Sequence, residues 1–147
     1  MMNPQDVDIR TLLPQRDPIV MVDRLSAADA LTAETALTIQ PDNLFVESGK
    51  FKSYAMVEVM AQTCAAHLGY VDKYILGHNG LRIGYIGSVK KMQVESVPRV
   101  GEMLRTCIRI LEDFGDMKMA AAECYIDDRR VASAELVITL AGERTTV

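Results

Sequence analysis

The chain has 147 residues, of which 49% are hydrophobic and 24% are charged. This composition is typical of one globular domain that is long enough to bury a core. The formal net charge of −4 gives no electrostatic reason to expect nucleic acid as a partner. We therefore expect a single domain over residues 1–147 and no nucleic-acid partner.

The first third of the chain predicts one helical turn and two strands. In "VDIRTLLPQRDP" a short helical turn is ended by Pro14 and Pro18, because the residue before a proline is disfavoured in the helical conformation. The stretches "IVMVDRLSAA" and "ALTAETALTI" are strand candidates. In the second, residues 31, 33, 35 and 37 alternate with residues 32, 34, 36 and 38, as in a strand with one buried face.

A helix is predicted over residues 54–70, with Ser53 as its N-cap and Gly69 near its end. It is apolar nearly all round, so we expect the rest of the fold to enclose it. Four polar residues interrupt the apolar run, which makes it a poor membrane span and a good buried helix. These residues are Glu58, Gln62, Thr63 and His67.

Four more strand candidates follow the helix: "LRIGYIGSVKKMQV", "GEMLRTCIRILEDF", "DMKMAAAECYI" and "RRVASAELVITL". The connections "ESVPRVGE", "EDFGD" and "DDRR" are short and rich in turn residues, which favours antiparallel neighbours in a meander. The expected fold class is α+β, with an antiparallel sheet wrapped around one long buried central helix.

The three cysteines lie far apart and form no CxxC or Cys/His ligand pattern, which argues against a zinc site or a disulfide framework. The N-terminal stretch "MMNPQDVDIR" has no apolar core and is not predicted to be a signal peptide. We expect a cytoplasmic protein with no metal ion and no cofactor. Its thiols, on Cys64, Cys107 and Cys124, are expected to be buried and free.

One carboxylate, Glu58, lies inside the apolar stretch "MVEVMAQTCAAHLGY". A buried charge is costly unless it is paired, protonated or chemically useful, so Glu58 is either a satisfied structural group or a catalytic one. Gln62 lies about 40° further around the helix axis, where its amide can hydrogen-bond the carboxyl. His67 lies about 180° from Glu58 and His78 falls in a loop, so neither is expected to be catalytic.

Two motifs together carry a resemblance. "LLPQRDPIVMVDRL" resembles the Leu-Leu-Pro-His-Arg-x-Pro signature of bacterial 3-hydroxyacyl-acyl-carrier-protein dehydratases, a family with the hotdog fold. "VEVMAQTCAA" resembles the Val-Glu-Ala-Met-Ala-Gln motif of that family's central helix. Weaker similarity extends the resemblance over residues 9–140. It implies a hotdog dimer in which two sheets join edge to edge.

The resemblance also implies a site between subunits. In that family, a His from the first motif and a Glu from the helix of the other subunit remove water from a 3-hydroxyacyl thioester. Glu58 falls on the family's glutamate, but Gln15 stands at the position of the histidine. The amide of Gln15 does not titrate, although it can orient substrate. Because losing a positioned general base costs about 10²–10⁴-fold in rate, the site is slow, uses Glu58 alone, or has changed its chemistry.

The segment before the helix departs from the family as well. "SGKFKSYAMVE" keeps a glycine and a phenylalanine but lacks the family's prolines and is shorter. Backbone N–H groups at the helix start would hold the thioester carbonyl. The substrate-binding residues predicted in this way are Gly49, Phe51, Ser53, Tyr54 and Gln62. An entrance for an acidic carrier protein is expected at Lys90, Lys91 and Arg99.

Three functions remain open at this point. The first is dehydration of a 3-hydroxyacyl thioester, carried by acyl carrier protein or coenzyme A, in fatty-acid or polyene-type biosynthesis, with Glu58 and Gln15 as the catalytic pair. The second is an acyl thioesterase on the same fold. The third is a non-catalytic acyl binder or partner subunit. We expect a homodimer or higher homo-oligomer, or a heterodimer with a paralogue, and no membrane partner.

Overall fold

The central helix, α1 (Ala55–Tyr70), packs against the 3-10 turn Ile9–Leu12 and five of the strands in the computed structural model, which describes residues 2–145. The strands are β1 (Arg24–Ala28), β2 (Thr32–Thr38), β3 (Val46–Glu47), β4 (Lys50–Phe51), β5 (Leu81–Val94), β6 (Met103–Asp113), β7 (Met117–Ile126) and β8 (Arg129–Thr145). Six of them form one antiparallel sheet in the order β1-β2-β6-β7-β8-β5. The predicted α+β architecture, a sheet wrapped around one helix, is confirmed.

Alternation along the strands explains why the sheet faces the helix with one side. In β7 the residues Ala120, Ala122, Cys124 and Ile126 are buried, while those between them are only partly buried. Successive strand residues point to opposite faces of a sheet, so this face joins the core that surrounds α1.

The predicted meander is correct for only part of the sheet. β6, β7 and β8 are joined by hairpins, but β5 pairs with β8 at the edge of the sheet. The connection 95–102 therefore crosses from that edge to β6. It is not a hairpin turn, because β5 and β6 are not neighbours in the sheet. The N–H of Phe51 donates to the carbonyl of Pro98, and the N–H of Val100 donates to that of Gly49.

Those two hydrogen bonds dock the connection on a small hairpin, β3–β4, which the sequence did not predict. Its turn residues Ser48 and Gly49 have φ of 53° and 77°, and two successive positive φ values are what a tight two-residue hairpin requires. The strand predicted over residues 19–28 likewise begins only at Arg24.

The predicted C-terminal residue of α1, Tyr70, is confirmed, but the predicted N-terminal end is wrong by one residue. Tyr54, not Ser53, is the N-cap, and no side chain caps the helix. At the other end the backbone continues into a π-helical turn, Val71–Ile75. Gly69 is needed for close packing rather than for termination, since a Cβ there would lie 2.9 Å from the carbonyl oxygen of Leu12.

The three cysteines are free. Burial raises the pKa of Cys64 and of Cys124 to about 12, and that of Cys107 to about 11. All three thiols are therefore protonated at neutral pH. Cys107 differs from the expectation in being only partly buried.

Candidate active site

A cavity of about 520 Å³ lies alongside α1. On the helix it is lined by a stripe of residues three or four positions apart, a spacing that places side chains on one face. The stripe consists of Glu58, Ala61, Ala65 and Leu68 of α1, followed by Asp72 of the π-helical turn. Its first four members are only partly buried, so the helix is not enclosed all round as predicted.

Apolar side chains from the sheet form the opposite wall in the middle of the cavity. They come from three strands, β5, β6 and β8, and include Ile86, Ile110, Ile138 and Leu140. The small side chains of Ala61 and Ala65 leave room on the helix side. An apolar cavity with a few convergent polar groups is the usual form of a small-molecule site.

Glu58 stands at one end of the stripe. Its carboxylate is partly buried rather than shut inside the core, and its Oε1 accepts a hydrogen bond of 2.7 Å from Nε2 of Gln62. This is the contact that the helical spacing indicates. The acid therefore borders the cavity in a fixed orientation.

Gln62 itself is fully buried and uses both ends of its amide. Its Oε1 accepts from the N–H of Met21 at 2.6 Å, while its Nε2 donates to the carbonyl of Ile19 at 2.8 Å as well as to Glu58. The amide thus ties α1 to the segment that follows the first motif. Gln62 does not line the cavity, so its contribution to the site is to position Glu58.

Gln15 lines the same cavity as Glu58 of its own chain. Nη1 of Arg16 donates to the carbonyls of Leu13 and Gln15, at 2.8 and 2.9 Å, and so fixes the turn. The side-chain Oε1 of Gln15 is buried without a hydrogen-bond partner within residues 2–145. Buried polar atoms nearly always have a partner, which makes this oxygen available to a ligand or to another subunit.

The other end of the cavity carries polar and charged side chains that no sequence motif indicates. There Nδ1 of His78 contacts Oδ1 of Asp72 at 2.8 Å, and Nη2 of Arg82 contacts the exposed Asp116 at 2.6 Å. Lys118 completes this end with its own carboxylate partner. Only the folded sheet brings these residues, from separate elements, together.

That partner is Asp113, which Nζ of Lys118 contacts at 2.7 Å. The hydrogen bond from Lys118, with a second from the N–H of Gly115, lowers the pKa of Asp113. The carboxylate of Asp113 is therefore ionised at neutral pH.

His67 borders the cavity too, although it lies opposite Glu58 on the helix. The cavity covers about half of the helix circumference, so residues at its two margins can both reach it. The ring Nε2 is 2.8 Å from the carbonyl oxygen of Asp29. Burial lowers the pKa of His67, so the ring is neutral at neutral pH.

The other predicted site residues lie away from the cavity. Phe51 is buried in the core beside Phe45, and the backbone amides of Ala55 and Met56 already donate to carbonyls at the helix start. The predicted residues that do not line the cavity are Gly49, Phe51, Ser53, Tyr54, Lys90, Lys91 and Arg99. The cations that do line it are Arg82 and Lys118.

Within the described part of the chain, no group of three or more His, Cys, Asp or Glu side chains is arranged to hold a metal ion. None of the helices formed by residues 2–145 is long and apolar enough to cross a membrane.

The chain is similar to several known dehydratases. A 3-hydroxyacyl-(acyl-carrier-protein) dehydratase FabZ from Legionella pneumophila subsp. pneumophila is 29% identical over 145 residues, covering 90% of this chain and 93% of that protein. The FabZ of Desulfotalea psychrophila is 27% identical over 137 residues, which are 89% of each chain.

Among solved structures, the dehydratase heterocomplex ApeI:P from Xenorhabdus doucetiae superposes with a TM-score of 0.85 at 14% identity, covering 93% of each chain. This likeness confirms the hotdog fold. The model of the ApeP-like family, described as ApeP dehydratase, matches residues 7–145. Because that match spans nearly the whole chain, the protein belongs to the ApeP-like dehydratase family.

Proposed function

We propose that the protein takes part in the dehydration of 3-hydroxyacyl thioesters, with Glu58 as the acid/base group. The observation that carries the proposal is a carboxylate held by Gln62 at one end of an apolar cavity that runs along α1. The membership of the ApeP-like family and the similarity to FabZ proteins support it.

Dehydration requires a base for the proton next to the thioester carbonyl, an acid for the departing hydroxyl, and donors for the enolate-like oxygen. In a syn elimination one carboxylate serves both proton transfers. Glu58 takes the proton from the carbon next to the carbonyl, the carbon–oxygen bond to the hydroxyl breaks, and the same proton leaves with the hydroxyl as water. The products are a 2-enoyl thioester and water, and the carboxylate is regenerated.

In this proposal Gln15 orients the substrate. Its amide can donate and accept hydrogen bonds but cannot act as a base. The unpartnered Oε1 that lines the cavity supports the assignment. Gln15 lines the cavity of its own chain, but the family resemblance implies pairing across a dimer, and we propose that in an assembled dimer Gln15 of one subunit also serves the Glu58 of the other.

We also propose that the working form is an oligomer, either a homodimer or higher, or a heterodimer with a paralogue. β5 lies at the edge of the sheet, and its side chains Tyr85 and Val89 are 60% and 36% exposed. A long edge strand with apolar side chains offers a pairing surface to another chain. The likeness to a heterocomplex supports the paralogue form.

The proposed substrate is an acyl group on acyl carrier protein or coenzyme A. The cytoplasm is the proposed location, and it suits the three free thiols. Lys90, Lys91 and Arg99 are exposed and remain our proposal for the surface that meets an acidic carrier.

A single set of assays tests the proposal. The purified protein, alone and mixed with a His-bearing paralogue, is given 3-hydroxyacyl thioesters, and enoyl absorbance and free thiol are followed together. Enoyl formation without thiol release is the expected result. Thiol release without enoyl would instead indicate a thioesterase. No reaction in any mixture would leave an acyl binder and overturn the dehydratase assignment.

A further inference from the structure

Three side chains converge on Gly84 of β5 inside the cavity. A Cβ at this glycine would lie 3.7 Å from Cδ2 of Leu68, 3.5 Å from Cδ2 of Leu140 and 2.9 Å from Cγ2 of Ile138. All four residues line the cavity, and we call them the neck. These side chains close in on β5 because position 84 carries no side chain, and a Cβ there would push them, Ile138 above all, into the cavity.

The neck has a defined distance from the proposed reaction centre. An α-helix rises about 1.5 Å per residue, so Leu68 lies about 15 Å from Glu58 along the axis. Between them the cavity passes over the small side chains of Ala61 and Ala65. An acyl chain whose thioester is held at Glu58 therefore runs along this groove toward the neck.

Beyond the neck the wall changes character. It carries the polar side chains of Asp72, His78 and Arg82 beside the aliphatic ones of Val71 and Leu76. An apolar chain gains free energy for each methylene that leaves water for an apolar wall, and that gain ends where the wall is polar. The gain per methylene therefore falls beyond the neck, where polar side chains interrupt the apolar wall.

We propose that Gly84, opposite Leu68, sets the depth to which the cavity accepts an apolar acyl chain. The proposal rests on the proposed function for its substrate class. Gly84 lies on β5 opposite Leu68, which is about 15 Å from Glu58 along the axis of α1. It takes no part in proton transfer, so it determines specificity for chain length without being a catalytic residue.

The test compares chain-length profiles. Saturated acyl-pantetheine thioesters of increasing length are titrated by calorimetry, and kcat/KM is measured for the 3-hydroxyacyl series from butanoyl to hexadecanoyl. In the wild type, both affinity and kcat/KM rise with length until the chain reaches the neck and then level off. Gly84→Ala moves this plateau to shorter chains, and the kcat/KM of the longest substrate falls at least about 10-fold relative to the shortest.

Gly87→Ala is the matched control. It makes the same change in the same strand, but the nearest atoms to the new Cβ are Oγ1 of Thr139 and the carbonyl oxygen of Val137, both at 3.7 Å. The control keeps the wild-type profile. If Gly84→Ala binds and turns over every chain length as Gly87→Ala does, the proposal is wrong and the proposed function still stands.

A second variant approaches the neck from the helix side, in case the contact with Ile138 prevents Gly84→Ala from folding. Leu68→Ala widens the neck and should move the plateau to longer chains, whereas an unchanged plateau overturns the proposal. The binding titration separates the two claims. If affinity depends on chain length and the plateau shifts in the variants, but no variant or wild-type protein shows turnover, the role of the neck is supported and the dehydratase function is contradicted.

Discussion

At the scale of single residues, the amide of Gln62 connects the two sequence motifs. It accepts from Met21, which lies 41 positions earlier in the chain, and donates to both Ile19 and Glu58. The orientation of the amide is fixed, because only its oxygen can accept the N–H of Met21. The same side chain therefore aligns the helix with the first motif and holds the acid at the cavity.

Gln62→Leu should lower both stability and activity. The substitution leaves the N–H of Met21 and the carbonyl of Ile19 without their partner, at about 1–3 kcal/mol for each buried group, and it frees Glu58. Chemical denaturation gives the loss of stability, and kcat/KM of the folded protein gives the loss of activity.

Thr63→Val is the control for the Gln62 variant. It breaks the buried pair between Thr63 and Thr35 at the next helix position without touching Glu58, so stability falls while kcat/KM is retained. An equal loss of kcat/KM in both variants would show that Gln62 acts through stability alone.

Replacing Gln15 should raise stability and lower activity, unlike the replacement of Gln62, which lowers both. Its Oε1 is buried with no hydrogen-bond partner among residues 2–145, which is unfavourable in the free protein. Gln15→Leu should therefore stabilise the fold by about 1 kcal/mol and lower kcat/KM. Thermal unfolding and steady-state kinetics check the two effects, with the exposed Gln40→Leu as a control that changes neither. A Gln15→Leu protein that is destabilised but fully active would contradict this role.

At the scale of elements, the packing of α1 on the 3-10 turn Ile9–Leu12 depends on Gly69. Replacing glycine by alanine inside a helix normally stabilises it by about 1 kcal/mol. Here the new Cβ would lie 2.9 Å from the carbonyl oxygen of Leu12, and backbone cannot move aside cheaply. Gly69→Ala should therefore lower the melting temperature. Gly142→Ala meets no atom within 4 Å and should not. A stabilised Gly69→Ala protein would show that the turn yields.

The strands show what local sequence can and cannot specify. The limits predicted for β5, 81–94, agree with the structure, because turn-forming residues bound the run on both sides, "GHNG" before it and "ESVP" after it. The choice of neighbour is not local: the pairing of β5 with β8 depends on the path of residues 95–102 across the sheet end. β3 and β4, with two residues each, are too short to show any period.

The residues of the candidate site also fall into those that local sequence identifies and those that it does not. Glu58 and Gln15 were found because each lies in a recognisable motif, and both line the cavity. Arg82, Lys118 and Gly84 belong to no motif and reach the cavity only through the pairing of strands. The sequence predicted that His67 lies opposite Glu58 on the helix. It did not predict that the cavity is wide enough for His67 to line its margin.

At the scale of the whole molecule, His67 should make stability depend on pH. Burial lowers its pKa in the folded state from the ordinary 6.5, so the unfolded chain binds a proton at a higher pH than the folded one. Stability from this group is complete above pH 6.5 and is lost as the pH falls below it toward the folded pKa. Urea unfolding across this pH range should show that the free energy of unfolding falls less steeply with decreasing pH in His67→Gln than in the wild type. Equal slopes would contradict the assignment.

The dehydratase account depends most directly on the carboxylate of Glu58. Glu58→Gln keeps an acceptor for Nε2 of Gln62 and the shape of the side chain, but removes the group that exchanges a proton. In whichever assembly turns over 3-hydroxyacyl thioesters, kcat/KM of this variant should fall by at least about 10²-fold, with melting temperature and oligomeric state unchanged. A Glu58→Gln protein that forms enoyl product at the wild-type rate would contradict the account.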